Sequence, residues 1–174
     1  VISGNFSQRG SVSIVDKWEK TRMALNNGVD LVIELPVLYS ISSAENFADG
    51  AIKILNSLGI VNYLSFGAET SNINLLNDIS NILIDEPDEY KKILNTNLKE
   101  GLSFPKAREN ALISYLNNDK KYYNLLSSPN NILGIEYIKA IKKYNSNIIP
   151  FSINRKEVNH NSTDFNNNFA SSST

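Results

Sequence analysis

The chain has 174 residues, of which 41% are hydrophobic and 20% charged, and this composition predicts one soluble globular domain with a sizeable core. Its formal net charge of −1 lacks the basic excess of nucleic-acid-binding domains, so any RNA contact must use a local patch or protein outside this sequence. With no cysteine and one histidine, His160, the chain alone cannot build disulfides, thiolate zinc sites, cysteine nucleophiles, multi-histidine metal sites or a histidine relay.

Two strands flanking one helix are predicted first. Residues 1–4 resemble the end of a buried strand that runs into a loop. Asp16 caps a predicted helix over 17–27, and Gly28 supplies its left-handed stop. The expected buried residues of this helix are Trp18, Met23 and Leu25. Residues 30–36 predict a strand, and the continuous apolar run at its centre indicates that the strand is covered on both faces.

A second helix and a third strand follow with short connections. Ser42 and Glu45 form a capping box that opens a helix, and Gly59 closes this helix. Residues 61–66 then predict a strand. This alternation of strands and helices predicts an α/β fold with right-handed crossovers and a doubly wound parallel sheet flanked by helices.

The remaining chain is mainly helical. Apolar residues at three- and four-residue spacing predict helices near 74–84, 88–99, 105–117 and 130–144. Residues 147–153 return to strand character, and 154–174 resemble a loop. We interpret 1–174 as a single, incomplete domain with a helix-rich insertion at about 74–128.

Loops at the carboxyl ends of the predicted strands carry the candidate site residues, because ligands of open α/β sheets bind there. Gln8 and Arg9 lie in a glycine-bearing loop that fits a phosphate, or equally a solvated surface loop. Gly67 could let a nucleoside approach the backbone or could serve a tight turn. Arg155 and Lys156 suit a polyphosphate as well as they suit a solvated charge pair.

Two further groups have a plain structural interpretation beside a functional one. Asn130 and Asn131 begin a predicted helix, and capping explains one of them, while the other could contact an adenine edge or a ribose hydroxyl. A basic cluster on the first helix is interpreted as a solvated face; it consists of Lys17, Lys20 and Arg22. Glu34 interrupts an apolar strand and is expected to pair with a nearby Lys or Arg. His160 is interpreted as a loop histidine.

Seven segments form an ordered pattern along the chain: S-G-x-F-x-Q-R-G at 3–10, K-W at 17–18, M-A-L at 23–25, G-x-D-L-V-I-E-L-P at 28–36, F-G at 66–67, P-N-N-I-L-G at 129–134, and Arg155 followed by His160 and Asn161. Together they resemble the tRNA(Met) cytidine acetate ligase family. The resemblance implies a Rossmann-like, HUP-type nucleotidyltransferase fold. It also implies that ATP activates acetate as acetyl-adenylate, and that the acetyl group passes to N4 of the wobble cytidine of elongator tRNA(Met) without acetyl-CoA.

The resemblance also implies site residues and partners. ATP contacts map to Gly67, to Asn130 and Asn131 with Asn131 preferred, and to Arg155 with Lys156. Possible phosphate, substrate or tRNA contacts are Gln8, Arg9, Lys17 and Arg22. ATP is then a substrate, accompanied by Mg²⁺, and acetate and elongator tRNA(Met) are the other partners. No apolar run reaches the roughly 20 residues of a membrane helix and no signal segment is recognised, so a cytoplasmic location is expected.

Three departures from the family pattern lead to a further expectation. The sequence contains no N-P-F-H-x-G-H segment, Lys20 stands where arginine is commoner, and residues 170–174 match only the beginning of an I-S-S-T-x-I-R-like motif. We therefore expect this chain alone to be catalytically inactive. The alternatives are a non-catalytic nucleotide- or tRNA-binding domain and a small-molecule adenylyltransferase of the same superfamily.

Overall fold

A computed structural model describes residues 1–8, 10–123 and 125–154. Its strands are β1 (Ile2–Ser3), β2 (Glu34–Leu35), β3 (Tyr63–Ala68) and β4 (Ile149–Asn154). Its helices are α1 (Lys17–Asn26), α2 (Val37–Ser40), α3 (Ala44–Leu58), α4 (Ile73–Asp85), α5 (Asp88–Lys99), α6 (Phe104–Tyr115) and α7 (Pro129–Lys143), with a 3-10 turn at Lys120–Tyr122. In this part of the chain, no helix has both the length and the apolar character needed to cross a membrane.

All strand pairs are parallel, which confirms the predicted α/β class with parallel strands flanked by helices. β1 pairs with β2, and β3 pairs with β4 from Tyr63 opposite Ile149 to Ala68 opposite Asn154. The described strands do not join into the one continuous sheet that the sequence predicted. A cavity of about 160 Å³ has residues of both strand pairs in its lining, among them Ile2 of β1 and Leu64 of β3.

The main core joins the helix-rich insertion to α7 and to one face of β3. Its buried residues come from all these elements, so the insertion shares its core with the helix that follows it. They are Ala68, Leu76, Ile79, Tyr90, Ala111, Leu112, Tyr122, Leu125, Ile135 and Ile138. A smaller cluster joins α3, α7 and the start of β4; it contains Ile52, Ala140, Ile141 and Ile148.

The prediction that three residues of α1 are buried is wrong. Trp18 is 69% exposed, and Met23 and Leu25 are also exposed. Trp18 and Met23 stand five residues apart and Met23 and Leu25 two apart, so they do not share one helix face. α1 consequently buries none of its residues.

The strand predicted at 30–36 is much shorter than its apolar run. Only Glu34 and Leu35 join a ladder, since β1 offers only two residues to pair with them. Leu35 is buried, whereas Leu31 is 61% exposed. The apolar run therefore predicted the presence of a strand correctly, but the predicted length of the strand and the predicted burial of its residues were wrong.

The end of α3 was predicted correctly, and its start was predicted one residue too early. Gly59 ends α3 in the left-handed conformation at a φ of 69°, as expected. The cap of α3 is Ser43, whose Oγ accepts from Asn46 N at 3.3 Å, and the predicted cap, Ser42, lies one residue too early. Because α3 begins at Ala44, Glu45 occupies the second helical position, where it cannot complete a capping box.

Candidate functional site

The loop after β3 and the first turn of α7 are locked together by Asn131. This side chain is 2% exposed, and its Oδ1 accepts hydrogen bonds from Glu69 N at 3.0 Å and Thr70 N at 3.1 Å. Both asparagines lie inside the first turn, while Ser128 is the N-cap residue, so the expectation that one of them caps α7 is wrong. The motif instead uses Asn131 to hold the carboxyl end of β3.

Glu69 returns the interaction in the opposite direction. Its carboxylate accepts from Asn131 N at 2.9 Å, Asn130 N at 3.4 Å and Asn130 Nδ2 at 2.7 Å. A helix N-terminus presents unpaired N–H groups and a partial positive charge, and the carboxylate satisfies both. The start of α7 is thus already occupied by an anion from the chain itself. Sequence reasoning missed Glu69 as a site residue, because nothing local to it indicates a partner 61 and 62 residues away.

Gly67 lies on the exposed face of β3, opposite Ile153 of β4. The other face of this strand approaches α7 very closely. A Cβ added to Gly134 would lie 2.5 Å from Phe66 Cε2 and 3.3 Å from Leu76 Cδ1, so only glycine permits this approach. Close packing at Gly134 and the paired bonds of Glu69 and Asn131 together hold α7 against the carboxyl end of β3.

A second group of polar residues lies at the carboxyl ends of β1 and β2. Lys17 Nζ pairs with Glu34 Oε2 at 2.8 Å, which confirms that Glu34 has a basic partner. Lys20 Nζ donates to Ser3 O and Ser13 Oγ, each at 2.9 Å, and also to Gly4 O. Lys20 therefore fastens α1 to the end of β1.

The basic cluster of α1 is not simply a solvated face. Lys17 and Lys20 are engaged as described, and this part of the expectation is wrong because β1 and β2 end beside these two side chains. Arg22 does fit the expectation, since its guanidinium is largely exposed and pairs with Glu19 on the same helix at 2.8 Å. Gln8 lies half-buried in the turn that follows β1.

A cavity of about 240 Å³ opens beside Glu34. It is lined by Gly4, Asn5, Phe6, Glu34, Val37 and Ser40. Its position outside the carboxyl ends of β1 and β2 is where open α/β sheets hold their ligands.

Charged groups also meet between α3 and α7, in a cavity of about 320 Å³. Burial alone would raise the pKa of Asp49, but hydrogen bonds from Lys143 and Tyr144 outweigh it and lower this pKa. Burial lowers the pKa of Lys142, whose Nζ donates to Asn77 and Asn81. Lysines and carboxylates alternate around this cavity, so it offers no field of one sign.

Several sequence-predicted residues lie outside the described part of the chain. They are Arg9, Arg155, Lys156 and His160. The predictions attached to them stand as predictions. Within the described residues, no group of three or more His, Cys, Asp or Glu side chains could hold a metal ion.

Parallel strands between helices, with polar loops at the strands' carboxyl ends, define an α/β domain of the kind that binds ligands at that edge of its sheets. The chain belongs to the family described as HIGH Nucleotidyl Transferase, whose sequence profile matches residues 1–174.

Two relatives are about 50% identical to this chain over the aligned residues, and both are named tRNA(Met) cytidine acetate ligase. The protein of Clostridium novyi (strain NT) is 50% identical over 171 residues, which are 98% of this chain and 43% of the relative. The protein of Thermoanaerobacter sp. (strain X514) is 52% identical over 173 residues, which are 99% of this chain and 43% of the relative. The chain thus spans less than half the length of these relatives.

Two solved structures share the fold. Apo Thermotoga maritima TmcAL (form I) superposes with a TM-score of 0.92 at 40% identity, over 97% of this chain and 41% of the other. The same protein bound with alpha-thio ATP (form II) gives a TM-score of 0.84 at 41% identity, over 88% of this chain and 38% of the other.

Proposed function

We propose that this chain is the nucleotide-binding part of an ATP-dependent ligase that acetylates N4 of the wobble cytidine of elongator tRNA(Met). The names of the relatives in Clostridium and Thermoanaerobacter supply the reaction class. The structure of Thermotoga maritima TmcAL bound with alpha-thio ATP supports ATP as the nucleotide. These names favour a tRNA acceptor over the small-molecule acceptor and over the non-catalytic domain.

The observation that carries the proposal is the lock between β3 and α7. It brings Gly67 and Asn130, which the family resemblance assigns to ATP, to one edge of the fold. The side chain of Asn130 is partly exposed, whereas Asn131 is buried and its Oδ1 already accepts two backbone hydrogen bonds. We therefore assign the direct nucleotide contact to Asn130 and a positioning role to Asn131, although the sequence favoured Asn131.

The carboxylate of Glu69 determines which part of ATP can lie here. It occupies the N-terminus of α7, so a phosphate group at that point would meet a negative charge instead of free N–H groups. The adenosine part of ATP fits this edge better than the triphosphate does. The triphosphate then depends on other cations, for which the sequence offers Arg9, Arg155 and Lys156. Mg²⁺ would bind together with ATP through the phosphate oxygens, as is usual for this ion.

The proposed reaction has two steps. An acetate oxygen attacks the α-phosphorus of ATP, the bond to the β-phosphate oxygen breaks, and pyrophosphate leaves. The N4 amine of cytidine then attacks the acetyl carbon, releasing AMP and losing one proton from nitrogen. Positioning of the reactants and stabilisation of charge on the phosphates supply most of the rate in such chemistry.

Nucleotide binding is tested by titrating ATP into the isotope-labelled chain and following its amide NMR signals. We expect shifts at Gly67, Glu69 and Asn130, and about tenfold weaker binding by Asn130→Ala, as loss of one or two hydrogen bonds predicts. Lys91→Ala is the matched control, since Lys91 is exposed on α5 and pairs only with Glu86 among the described residues. Unchanged signals at the β3–α7 edge at saturating ATP would refute the proposal.

We further propose that the chain alone does not catalyse the reaction. Its single histidine cannot supply the two histidines of an H-x-G-H segment. Acetate-dependent ATP–pyrophosphate exchange by the purified chain is the assay, and we expect none above the no-enzyme rate. Exchange that depends on both acetate and the chain would contradict this part of the proposal.

A further inference from the structure

The cavity beside Glu34 has features that the ATP contacts do not use. It lies at the carboxyl ends of β1 and β2, whereas Gly67 and Asn130 lie at the carboxyl end of β3. Its lining combines one carboxylate, one aromatic ring, one amide and one hydroxyl with a glycine and a valine. Pockets that recognise flat organic groups have this composition, with a few polar atoms fixing the orientation of the ligand.

The two carboxylate oxygens of Glu34 have different surroundings. Oε2 accepts from Lys17 Nζ at 2.8 Å. Oε1 lies directly over Gly4, so closely that a Cβ at this position would displace it. No described residue donates a hydrogen bond to Oε1. The lysine thus fixes the carboxylate by one oxygen and leaves the other as an acceptor at the cavity wall.

The aromatic wall of the cavity is held in place before any ligand binds. Phe6 is 41% exposed, and its backbone is fixed by a bridge to Val12 and by a hydrogen bond from Ser40 Oγ to its carbonyl oxygen at 3.1 Å. The neighbouring Asn5 accepts from Ser13 N through its backbone oxygen and from Lys17 N through Oδ1, each at 2.9 Å. An exposed ring on a fixed backbone is a platform on which a base can stack.

We propose that this cavity binds a nucleobase that carries an exocyclic amine, with Glu34 Oε1 accepting a hydrogen bond from the amine and Phe6 stacking on the ring. A carboxylate is the side-chain group that pairs with the amine of cytosine, while a keto oxygen in the same place would be repelled. The assignment rests on the proposed function, in which the acceptor cytidine has a 4-amino group and ATP has a 6-amino group. Because the adenosine part of ATP is placed at the β3–α7 edge, the cytidine is the occupant that we expect. The negative charge of Glu34 excludes the triphosphate from the same place.

The test uses the unaltered chain, labelled with ¹⁵N, and four nucleosides titrated into the millimolar range. Cytidine is compared with uridine, and adenosine with inosine, because each pair differs by an amine against a keto oxygen. We expect at least one amine-bearing nucleoside to shift the amide signals of Gly4, Asn5 and Phe6, and to bind about tenfold more tightly than its keto counterpart.

Variants separate the role of the carboxylate from a general loss of structure. Glu34→Gln can donate from its amide, so we expect it to lose the preference for the amine and to accept the keto base about equally well. Gly4→Ala pushes Oε1 aside and should therefore weaken binding of the amine-bearing nucleoside, so that the preference for the amine is lost here too. Glu89→Gln is the matched control, because Glu89 is an exposed carboxylate on α5, and it should retain the preference. If either cavity variant fails to fold, the comparison of nucleosides on the unaltered chain still decides whether the cavity prefers an amine-bearing base.

Each outcome has a defined meaning. A preference for cytidine assigns the cavity to the acceptor base, whereas a preference for adenosine would move the base of ATP from the β3–α7 edge to this cavity. Equal binding of amine and keto bases, or shifts confined to other parts of the chain, would overturn the inference. The proposed function is judged by the separate ATP titration at Gly67 and Asn130. If the unaltered chain did not bind ATP at Gly67 and Asn130 but still preferred cytidine to uridine, the proposed ligase function would be rejected and the cavity assignment would stand.

Discussion

Replacing Asn131 with alanine tests whether the β3–α7 lock stabilises the fold. The change leaves two backbone donors, Glu69 N and Thr70 N, without their common acceptor. An unsatisfied buried donor costs about 1–3 kcal/mol. Glu69 is exposed and Thr70 is half-buried, so water replaces part of each bond and the lower end of that range applies. We expect a loss of about 2–3 kcal/mol in the free energy of unfolding, including the lost packing of a side chain that is 2% exposed.

The measurement is equilibrium unfolding in urea, with Asn130→Ala as the control. Asn130 contributes one side-chain hydrogen bond, to the exposed Glu69, so its loss should cost less than about 1 kcal/mol. The two neighbouring asparagines then differ severalfold in their effect on stability, and in the opposite order in their effect on ATP binding. Equal urea midpoints for the two variants would show that the bonds from Glu69 and Thr70 to Asn131 add nothing, and would refute the lock.

Three further changes test other parts of the structure. Gly134→Ala gains about 1 kcal/mol of helix propensity but should still lower stability, since the contact with Phe66 costs about 1–3 kcal/mol; a more stable variant in thermal unfolding would contradict the close packing. Burial raises the pKa of Tyr137 from 10.0 to about 12, so the folded state favours the neutral phenol. The contribution of Tyr137 to the free energy of unfolding is therefore complete below pH 10 and is lost as the pH rises to 12. The loss amounts to roughly 3 kcal/mol, and Tyr137→Phe should remove it from the pH dependence of the urea midpoint. Lys20→Met should cost about 1–3 kcal/mol by leaving the Gly4 carbonyl and its neighbours unpaired, whereas Lys20→Arg keeps donors there and should cost less than half as much in the same assay.

The helical half of the chain was predicted well from sequence. α5 has the predicted bounds, and α4, α6 and α7 differ from theirs by one or two residues at each end. α4 and α5 have strong apolar periodicity, and proline or polar turn residues mark the ends of these helices; both signals are local. The first third was predicted less well. There the class of each predicted element was right, but the short helix α2 was not predicted, and burial depended on distant strands that local patterns do not describe.

The sequence by itself determined the α/β class, the order of the elements and the family, because hydrophobic periodicity, capping residues and motif spacing are properties of short stretches of chain. Only the tertiary structure decided which of two adjacent asparagines is buried, which residue fills the N-terminus of α7, and which oxygen of Glu34 is left to accept a hydrogen bond. Asn131 meets Thr70 and Glu69 across 61 and 62 residues, and Lys17 meets Glu34 across 17. A side chain's partner is chosen by packing between elements that are far apart in sequence, so the sequence named the residues of the site and the fold assigned their roles.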